Sequence, residues 1–272
     1  MATETLSGPL GEVRSATAAA GLAITTTPQF TQLPPGTDKV MMVARNFTTA
    51  VVAQIAMNPY LIVLKTTDAL QSAAAATDYS SAAQDASIAT DVVLSSLDTA
   101  ANLDFLYVGA KWPFRGVSID VDSTNSVASV LTVKYWNGTA WGTISATDGT
   151  ISAATTMAVD GNVTWTVPTD WVHNSLTKIG DALGTAAIPH IGDDLYWTRW
   201  EVSVALDSST TLNSMLSMNR STAYMELIPS QTFEERISVG PDGIGCVEAR
   251  TDAGTANLIV NVATKAQSGF LS

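Results

Sequence analysis

The residues best suited to act as a base in nucleophilic catalysis are few, and they belong to no recognisable catalytic motif. The chain contains two histidines, His173 and His190. A serine or cysteine hydrolase needs a nucleophile beside a histidine base. Neither histidine belongs to a G-x-S-x-G or H-E-x-x-H pattern. We therefore expect structural or solvated roles for both and predict no catalytic residue of this kind.

Acidic residues offer a second chemistry, the cleavage of a glycosidic bond by two carboxylates. The candidates are two adjacent pairs, Asp193 with Asp194 and Glu234 with Glu235. Adjacent residues of a strand point to opposite faces, so neither pair can flank one bond by itself. We expect solvated charges at these positions and predict that the chain is not an enzyme.

A metal site is conceivable where Asp120 and Asp122 share one strand face ahead of Asn125. A calcium loop of the EF-hand type beginning at Asp120 would require glycine at Asn125 and glutamate at Leu131, and it has neither. The single cysteine, Cys246, excludes an internal disulfide and a cysteine-rich zinc site. No phosphate-binding G-x-x-x-x-G-K motif is present. The sequence predicts no metal and no cofactor.

The composition narrows the classes of partner. The 272 residues include 13 Lys and Arg against 25 Asp and Glu, a formal net charge of −12. Binding to nucleic acid or to an anionic membrane surface requires a basic patch, so we expect neither partner. The apolar stretch 40–64 is interrupted by Arg45, Asn46, Gln54, Asn58 and Pro59. We therefore expect core strands there rather than a membrane span, and we expect no secretory signal in Met1–Gly21.

Hydrophobic periodicity predicts an all-β protein. Alternating patterns of period two surround Ile119, Val133 and Trp200, as in half-buried strands. Asn137-Gly138, Asp148-Gly149 and Asp160-Gly161 are turn dipeptides, and their spacing favours a meander of short antiparallel strands. The predicted fold is an antiparallel β-sandwich of the jelly-roll kind. The residues predicted to face its core are Ile119, Leu131, Val133, Tyr135, Val202 and Val204.

The predicted organisation has three parts. Residues 1–36 are rich in Thr, Ala, Gly and Pro and are expected to form an extended N-terminal arm, ordered by contact with a neighbouring chain or with its own subunit. Residues 37–206 form the sandwich, in which the alanine-rich stretch 67–90 is either a short helix after Asp68 or a surface loop. Residues 207–272 add further strands.

The region from Phe105 to Val204 carries an ordered series of short aromatic and turn motifs. They are Leu106-Tyr-Val-Gly109, Pro113-Phe-Arg-Gly116, Tyr135-Trp-Asn-Gly138 with Trp141, Asp148-Gly-Thr150, Trp165 with Pro168-Thr-Asp-Trp171, and Tyr196-Trp-Thr-Arg199. This series resembles a β-sandwich module of structural proteins of tailed bacteriophages, over about 100 residues. The resemblance implies a virion protein and does not specify the part of the virion.

The aromatic residues have specific expected roles. Tyr135 is expected to point to the interior and Trp136 to the opposite face, and the Asn-Gly turn is expected to bring Trp141 back across from this strand and give aromatic cross-strand pairs. Trp171 is expected to cover one open end of the sandwich after a helical turn capped by Thr169 or Asp170. Most tryptophans are expected in the core. Trp197 is the one expected to be exposed, and exposed indoles would provide a platform for stacking sugars.

These observations predict a non-enzymatic virion structural protein, assembled in the host cytoplasm, that acts through surface complementarity. A capsid decoration or cement protein is favoured because no coiled coil or repeat indicates a tail-fibre shaft. The expected partners are other copies of the chain and neighbouring virion proteins. The alternative is a tail- or fibre-associated module that binds host glycans; a third reading, a polysaccharide-degrading enzyme, would need a close carboxylate pair. The predicted interaction surface comprises Trp136, Trp197, Arg199, Phe30 and Leu33.

Overall fold

The structure is a computed structural model, and it describes residues 10–17, 20–49, 52–85, 87, 89–95, 97–179 and 188–265. The first ten strands are β1 (Leu10–Ser15), β2 (Leu22–Ile24), β3 (Gln29–Gln32), β4 (Thr37–Arg45), β5 (Ala53–Pro59), β6 (Ile62–Thr66), β7 (Ala76–Asp78), β8 (Val92–Val93), β9 (Phe105–Ala110) and β10 (Gly116–Ser123). The others are β11 (Leu131–Trp136), β12 (Trp141–Thr143), β13 (Thr147–Asp148), β14 (Gly161–Thr164), β15 (Tyr196–Val202), β16 (Thr211–Ser217), β17 (Met225–Leu227), β18 (Thr232–Arg236), β19 (Ile244–Thr251) and β20 (Ala256–Lys265). The helical elements are one α-helical turn, α1 (Leu176–Ile179), and 3-10 turns at Ala73–Ala75, Ala82–Gln84 and Ala100–Asn102.

The chain folds into two compact units. Unit 1 combines Met1–Met57 with Ala223–Ser272, and unit 2 is the continuous segment Asn58–Thr222. Unit 2 is therefore inserted between the two halves of unit 1 in the sequence.

Unit 1 is built from two sheets around one core. One sheet has the order β1-β20-β4-β18, with β2 also paired to β20, and the other has the order β17-β5-β19-β3. Alternate apolar residues of β4 and β20 pack with those of β5 and β19. Because each strand contributes every second residue, the two sheets bury one face each, as in a β-sandwich.

Unit 2 is a second sandwich. Its six-stranded sheet has the order β12-β11-β15-β9-β6-β7, and its five-stranded sheet has the order β13-β14-β10-β16-β8. The core between them takes Val133 and Trp200 from the first sheet and Ile119 and Val163 from the second. The prediction of an all-β fold with packed antiparallel sheets is confirmed.

The six-stranded sheet of unit 2 is covered on its other face as well. A separate cluster of buried residues there includes Leu64, Tyr107 and Trp197, and Leu70, Leu176 and Leu195 pack on it from the connecting segments. The central strands β9 and β15 are consequently buried on both faces, and all six residues of β9 are buried.

The predicted division of the chain is wrong at both of its boundaries. From Leu10 onward the expected arm contributes β1 and β2 to the edge of β20, and β3 to the edge of β19. The expected C-terminal region supplies the partners of these strands, so it belongs to the same sandwich. Met1–Pro9 lies outside the described residues. The alternating apolar residues of β20 explain the arrangement, because they must be buried and β4 presents a matching face.

Other expectations need smaller corrections. The strands do not form a simple meander, because β10 and β14 belong to one sheet and β11 and β12 to the other. The stretch 67–90 is mainly loop, with the short strand β7 and two 3-10 turns, and Asp68 accepts hydrogen bonds from Thr66, Gln71 and Ser72 in a local turn.

Five of the six residues predicted to face the core lie in it or against it. Ile119, Val133 and Val202 are buried. Leu131 and Tyr135 are half-buried against the same core. Val204 is the error, because its side chain is 47% exposed beyond the end of β15.

Candidate interaction surface

The structure does not assemble the predicted interaction surface at Trp197. The Trp197 side chain is fully buried, and the backbone carbonyl of Trp197 accepts a hydrogen bond of 3.2 Å from the indole N–H of Trp171. The alternation of β15 was assigned correctly, but the face that carries Trp197 is covered by the chain itself. The expectation of an exposed Trp197 is therefore wrong.

Trp136 is also buried, and it forms the expected cross-strand pair. Trp136 lies opposite Trp141 in the ladder of β11 and β12, and the two ring centroids are 5.7 Å apart in an edge-to-face arrangement. The Asn137 side chain accepts hydrogen bonds from the backbone N–H groups of Thr139 and Ala140, which closes the hairpin. These aromatic side chains stabilise the hairpin rather than forming a binding platform.

Arg199 forms part of a compact polar cluster on the same face. Its guanidinium contacts the Glu201 carboxylate at 2.8 Å and lies 4.4 Å from the ring centroid of Phe105 and 5.0 Å from that of Trp141. Lys134 joins the same carboxylate at 2.9 Å. Since Arg199 and Glu201 are nearly buried, this cluster mainly neutralises charge inside the unit.

The two predicted N-terminal contact residues are structural. Leu33 is buried in the core of unit 1, and Phe30 is half-buried on β3, opposite Glu248 of β19. Because β3 is paired within its own chain, neither residue serves as a contact of a free arm.

The candidate catalytic residues have local partners within their own units. His173 is exposed and packs edge-on against Tyr196, while His190 contacts Asp193 through Nδ1 at 2.8 Å. Asp193 and Asp194 belong to unit 2, whereas Glu234 and Glu235 lie on β18 of unit 1, where Glu234 pairs with Lys39.

The candidate calcium ligands are occupied by neighbouring side chains. Asp122 accepts a hydrogen bond from Thr211 at 2.8 Å, and Asp120 accepts one from Asn213 at 3.3 Å. Asn125 is buried and turned into the loops that follow. Among the residues that the structure describes, no group of three or more His, Cys, Asp and Glu side chains is placed to hold a metal ion. Cys246 is buried.

A different surface emerges at one end of unit 2, which we call the aliphatic end. Seven large hydrophobic side chains are exposed in the described part of the chain. Five of them define this end: Leu103, Val130, Ile151, Val159 and Val204. Their exposed fractions lie between 41% and 58%. Exposed apolar side chains that share one end of a domain form a candidate contact surface.

The strand registers place these five residues at the same end of unit 2. At the aliphatic end, β10 terminates and its antiparallel partners β14 and β16 begin. In the other sheet β15 ends there, and its partners β9 and β11 begin there. The loops that carry the exposed side chains therefore all emerge from the same end of the sandwich. Val172 lies at the opposite end, where its N–H bonds to the carbonyl of Trp136.

A buried amide links these loops. The Asn125 side chain donates to the carbonyls of Val127 and Thr156 at 2.9 and 3.1 Å, and it accepts from the N–H groups of Val127 and Asp207 at 3.0 and 3.1 Å. Four hydrogen bonds satisfy the amide fully. Three segments of the aliphatic end are thereby fixed relative to one another.

The carboxylate of Asp207 connects two of these loop segments by further hydrogen bonds. It accepts hydrogen bonds from the backbone N–H of Ser209 and from the N–H and hydroxyl of Ser126 at 2.7 to 2.9 Å. These bonds hold the pKa of Asp207 well below its usual range. The carboxylate is consequently ionised at neutral pH. Sequence periodicity does not reveal this surface, because its residues lie beyond the ends of strands.

Comparison with protein-family models, with curated proteins and with solved structures finds no match. Among the described residues, no helix is long and apolar enough to cross a membrane.

Proposed function

We propose that this chain is a non-enzymatic structural protein of a tailed-bacteriophage virion, specifically a capsid decoration protein that acts through protein–protein contacts. The observation that supports a contact role is the aliphatic end, where five exposed apolar side chains emerge and where Asn125 and Asp207 join three of the loops that carry them. Rigid loops that expose apolar surface favour binding, because little conformational entropy is lost on association. The assignment to a virion rests on the motif series in residues 105–204.

The location is tested by imaging. Antibodies against the purified chain are applied to gradient-purified phage particles and detected with gold-labelled second antibody by electron microscopy. Label distributed over the head is the expected result. Label on the tail alone would contradict a decoration role, and absence of the chain from the particles by mass spectrometry would contradict any virion role. Antibody pre-absorbed with the purified chain is the control.

The non-enzymatic role is tested by substitution. The His190→Ala, Asp193→Asn and Glu234→Gln variants remove the groups most suited to catalysis. We expect no turnover of oligosaccharides or peptides by the wild-type chain and no change in the variants. A turnover present in wild type and lost in one of these variants would refute the proposal.

The glycan-binding alternative receives no support at Trp197. Its side chain is enclosed by its own unit, so it offers no face to a sugar ring. A glycan array probed with the full chain is expected to give no specific signal.

A further inference from the structure

We infer that the aliphatic end of unit 2 binds a protein surface that has an apolar centre and a rim of lysine and arginine side chains. The inference rests on the proposed function for where this partner is found, on the particle, and adds the chemistry by which it is recognised.

The apolar part of the argument is the exposure of the five aliphatic side chains. Val130 is 58% exposed and Val204 is 47% exposed, and their segments are joined by hydrogen bonds between Ser129 and Val204 and between Ser203 and Val130. On the neighbouring loop, the carbonyl of Thr150 accepts a hydrogen bond from the backbone N–H of Val159, which places Ile151 close to Val159. Burial of these side chains by a partner removes apolar surface from water and favours association.

The charge of the surrounding loops identifies the rim of the partner. The segments 97–104, 120–131, 148–161 and 202–211 contain no lysine or arginine. They carry seven aspartates, of which Asp104 is buried and six are at least partly exposed: Asp98, Asp120, Asp122, Asp148, Asp160 and Asp207. A complementary surface must therefore be basic around its apolar centre, because opposite charges steer the encounter and like charges oppose it.

The same charge argues against a second copy as the occupant. A two-fold interface through this end would place one set of aspartates against an identical set. These four segments contain no cation to pair with the partner copy's carboxylates, so such an interface is electrostatically unfavourable.

The position of the end within unit 2 also suits docking. The chain enters and leaves unit 2 side by side at the opposite end, where the Ser217 hydroxyl donates to the carbonyl of Pro59 and Asn58 donates to the carbonyl of Ser217 at 2.7 Å. The chain therefore enters and leaves unit 2 away from the aliphatic end. Three of its loops are fixed before binding by the hydrogen bonds of Asn125 and Asp207.

The experiment measures binding of the full-length chain to particles that lack it. Two double variants remove the apolar surface, Val130→Ser with Val204→Ser and Ile151→Ser with Val159→Ser. The matched control is Val172→Ser, because Val172 is 40% exposed at the opposite end. We expect each double variant to bind at least tenfold more weakly and the control to bind within twofold of wild type. Thermal unfolding confirms that every variant is folded.

The charge is tested separately with Asp120→Asn combined with Asp122→Asn. Wild-type binding should weaken as salt is raised, and this variant should bind more weakly at low salt with a shallower salt dependence. Wild-type-like binding by both apolar double variants would overturn the inference and leave the proposed function intact. Loss of self-association in those variants, measured by sedimentation velocity, would overturn it in favour of a second copy. Failure of the wild-type chain to bind particles would refute the proposed function itself.

Discussion

Trp197 and Gly109 show how one side chain excludes another at the centre of unit 2. The two residues are paired across β15 and β9, and a Cβ atom at position 109 would lie 2.5 Å from Cε3 of the indole. A rigid, fully buried ring cannot move aside at low cost. Glycine at 109 is therefore required by the close approach of the tryptophan.

We expect Gly109→Ala to reduce the free energy of unfolding by about 1–3 kcal/mol, because it overpacks a closed core. Chemical denaturation of the full chain measures the loss. In a Trp197→Leu background the same substitution should cost less, since the ring that it meets is absent. Equal costs in the two backgrounds would show that the ring is not the cause.

Asp207 should make the stability of unit 2 sensitive to acid. Hydrogen bonds from the backbone of Ser209 and from the side chain and backbone of Ser126 lower its pKa in the folded state. The pKa of an aspartate in an unfolded chain is about 3.9. The stabilisation is therefore complete above that pH and is lost as the pH falls toward the lower folded pKa. We expect Asp207→Asn to flatten the acid loss of stability, measured by denaturation between pH 5 and pH 2.

The pKa of Asp104 is shifted in the opposite direction from that of Asp207, so its effect on stability also has the opposite dependence on pH. Burial raises its pKa, against a hydrogen bond from the backbone of Asp98 and the attraction of Lys65. As the pH rises through the unfolded value of about 3.9, the unfolded state ionises first and the folded state loses stability. Asp104→Asn should remove that loss. Parallel pH profiles for the Asp104 and Asp207 variants would contradict both assignments.

At the scale of the elements, the hairpin of β11 and β12 depends on the geometry of its turn. Gly138 has a φ of +96°, which an L-residue with a side chain adopts only with strain. Asn137 and the facing pair of Trp136 and Trp141 hold the strands around it.

Gly138→Ala should lower the free energy of unfolding by about 1–2 kcal/mol because of this backbone strain. Gly192→Ala is the matched control, since a Cβ there meets no atom within 4 Å and its φ is outside the strained region. Thermal unfolding of both variants measures the difference. A control as destabilised as Gly138→Ala would contradict the explanation.

Sequence periodicity predicts the position and the core face of individual strands better than it predicts which strands and layers pack beside them. The alternation around Val133 and Trp200 correctly predicts β11 and β15 and their core faces. It does not show that a second layer covers the opposite face, so Trp197 was predicted to be exposed. It also does not assign strands to sheets, because β10 and β11 are consecutive in the chain but belong to different sheets. Val204 was misassigned because the period continues beyond the last hydrogen-bonded residue of β15.

For the whole molecule, the division into two units makes unit 2 a candidate for independent folding. Its core cluster is drawn entirely from residues within 58–222. The residues that precede its first strand are joined to the end of its last strand by the hydrogen bonds between the Asn58-Pro59 pair and Ser217. The two ends of an excised unit therefore remain together without a linker.

We expect residues 58–222 produced alone to unfold cooperatively, with the same near-ultraviolet signal from the core tryptophans as in the full chain. Calorimetry and circular dichroism measure this. Deleting 1–36 is the complementary change: unit 2 should keep its transition, while unit 1 loses β1, β2 and β3 and with them its stability. If neither truncated protein kept the cooperative transition of unit 2, independent folding would be contradicted.

The interleaving of unit 1 has a consequence for its synthesis. Each described pairing in this unit joins one of the strands β1–β5 to one of β17–β20. When β5 leaves the ribosome, none of its eventual partners has been made, and the whole of unit 2 must be translated first. At usual rates this takes roughly 10–30 s. During that interval the apolar strands β4 and β5 wait unpaired while unit 2 is completed, so nascent chains bound by a holdase chaperone should be captured through these N-terminal strands and released once β20 emerges.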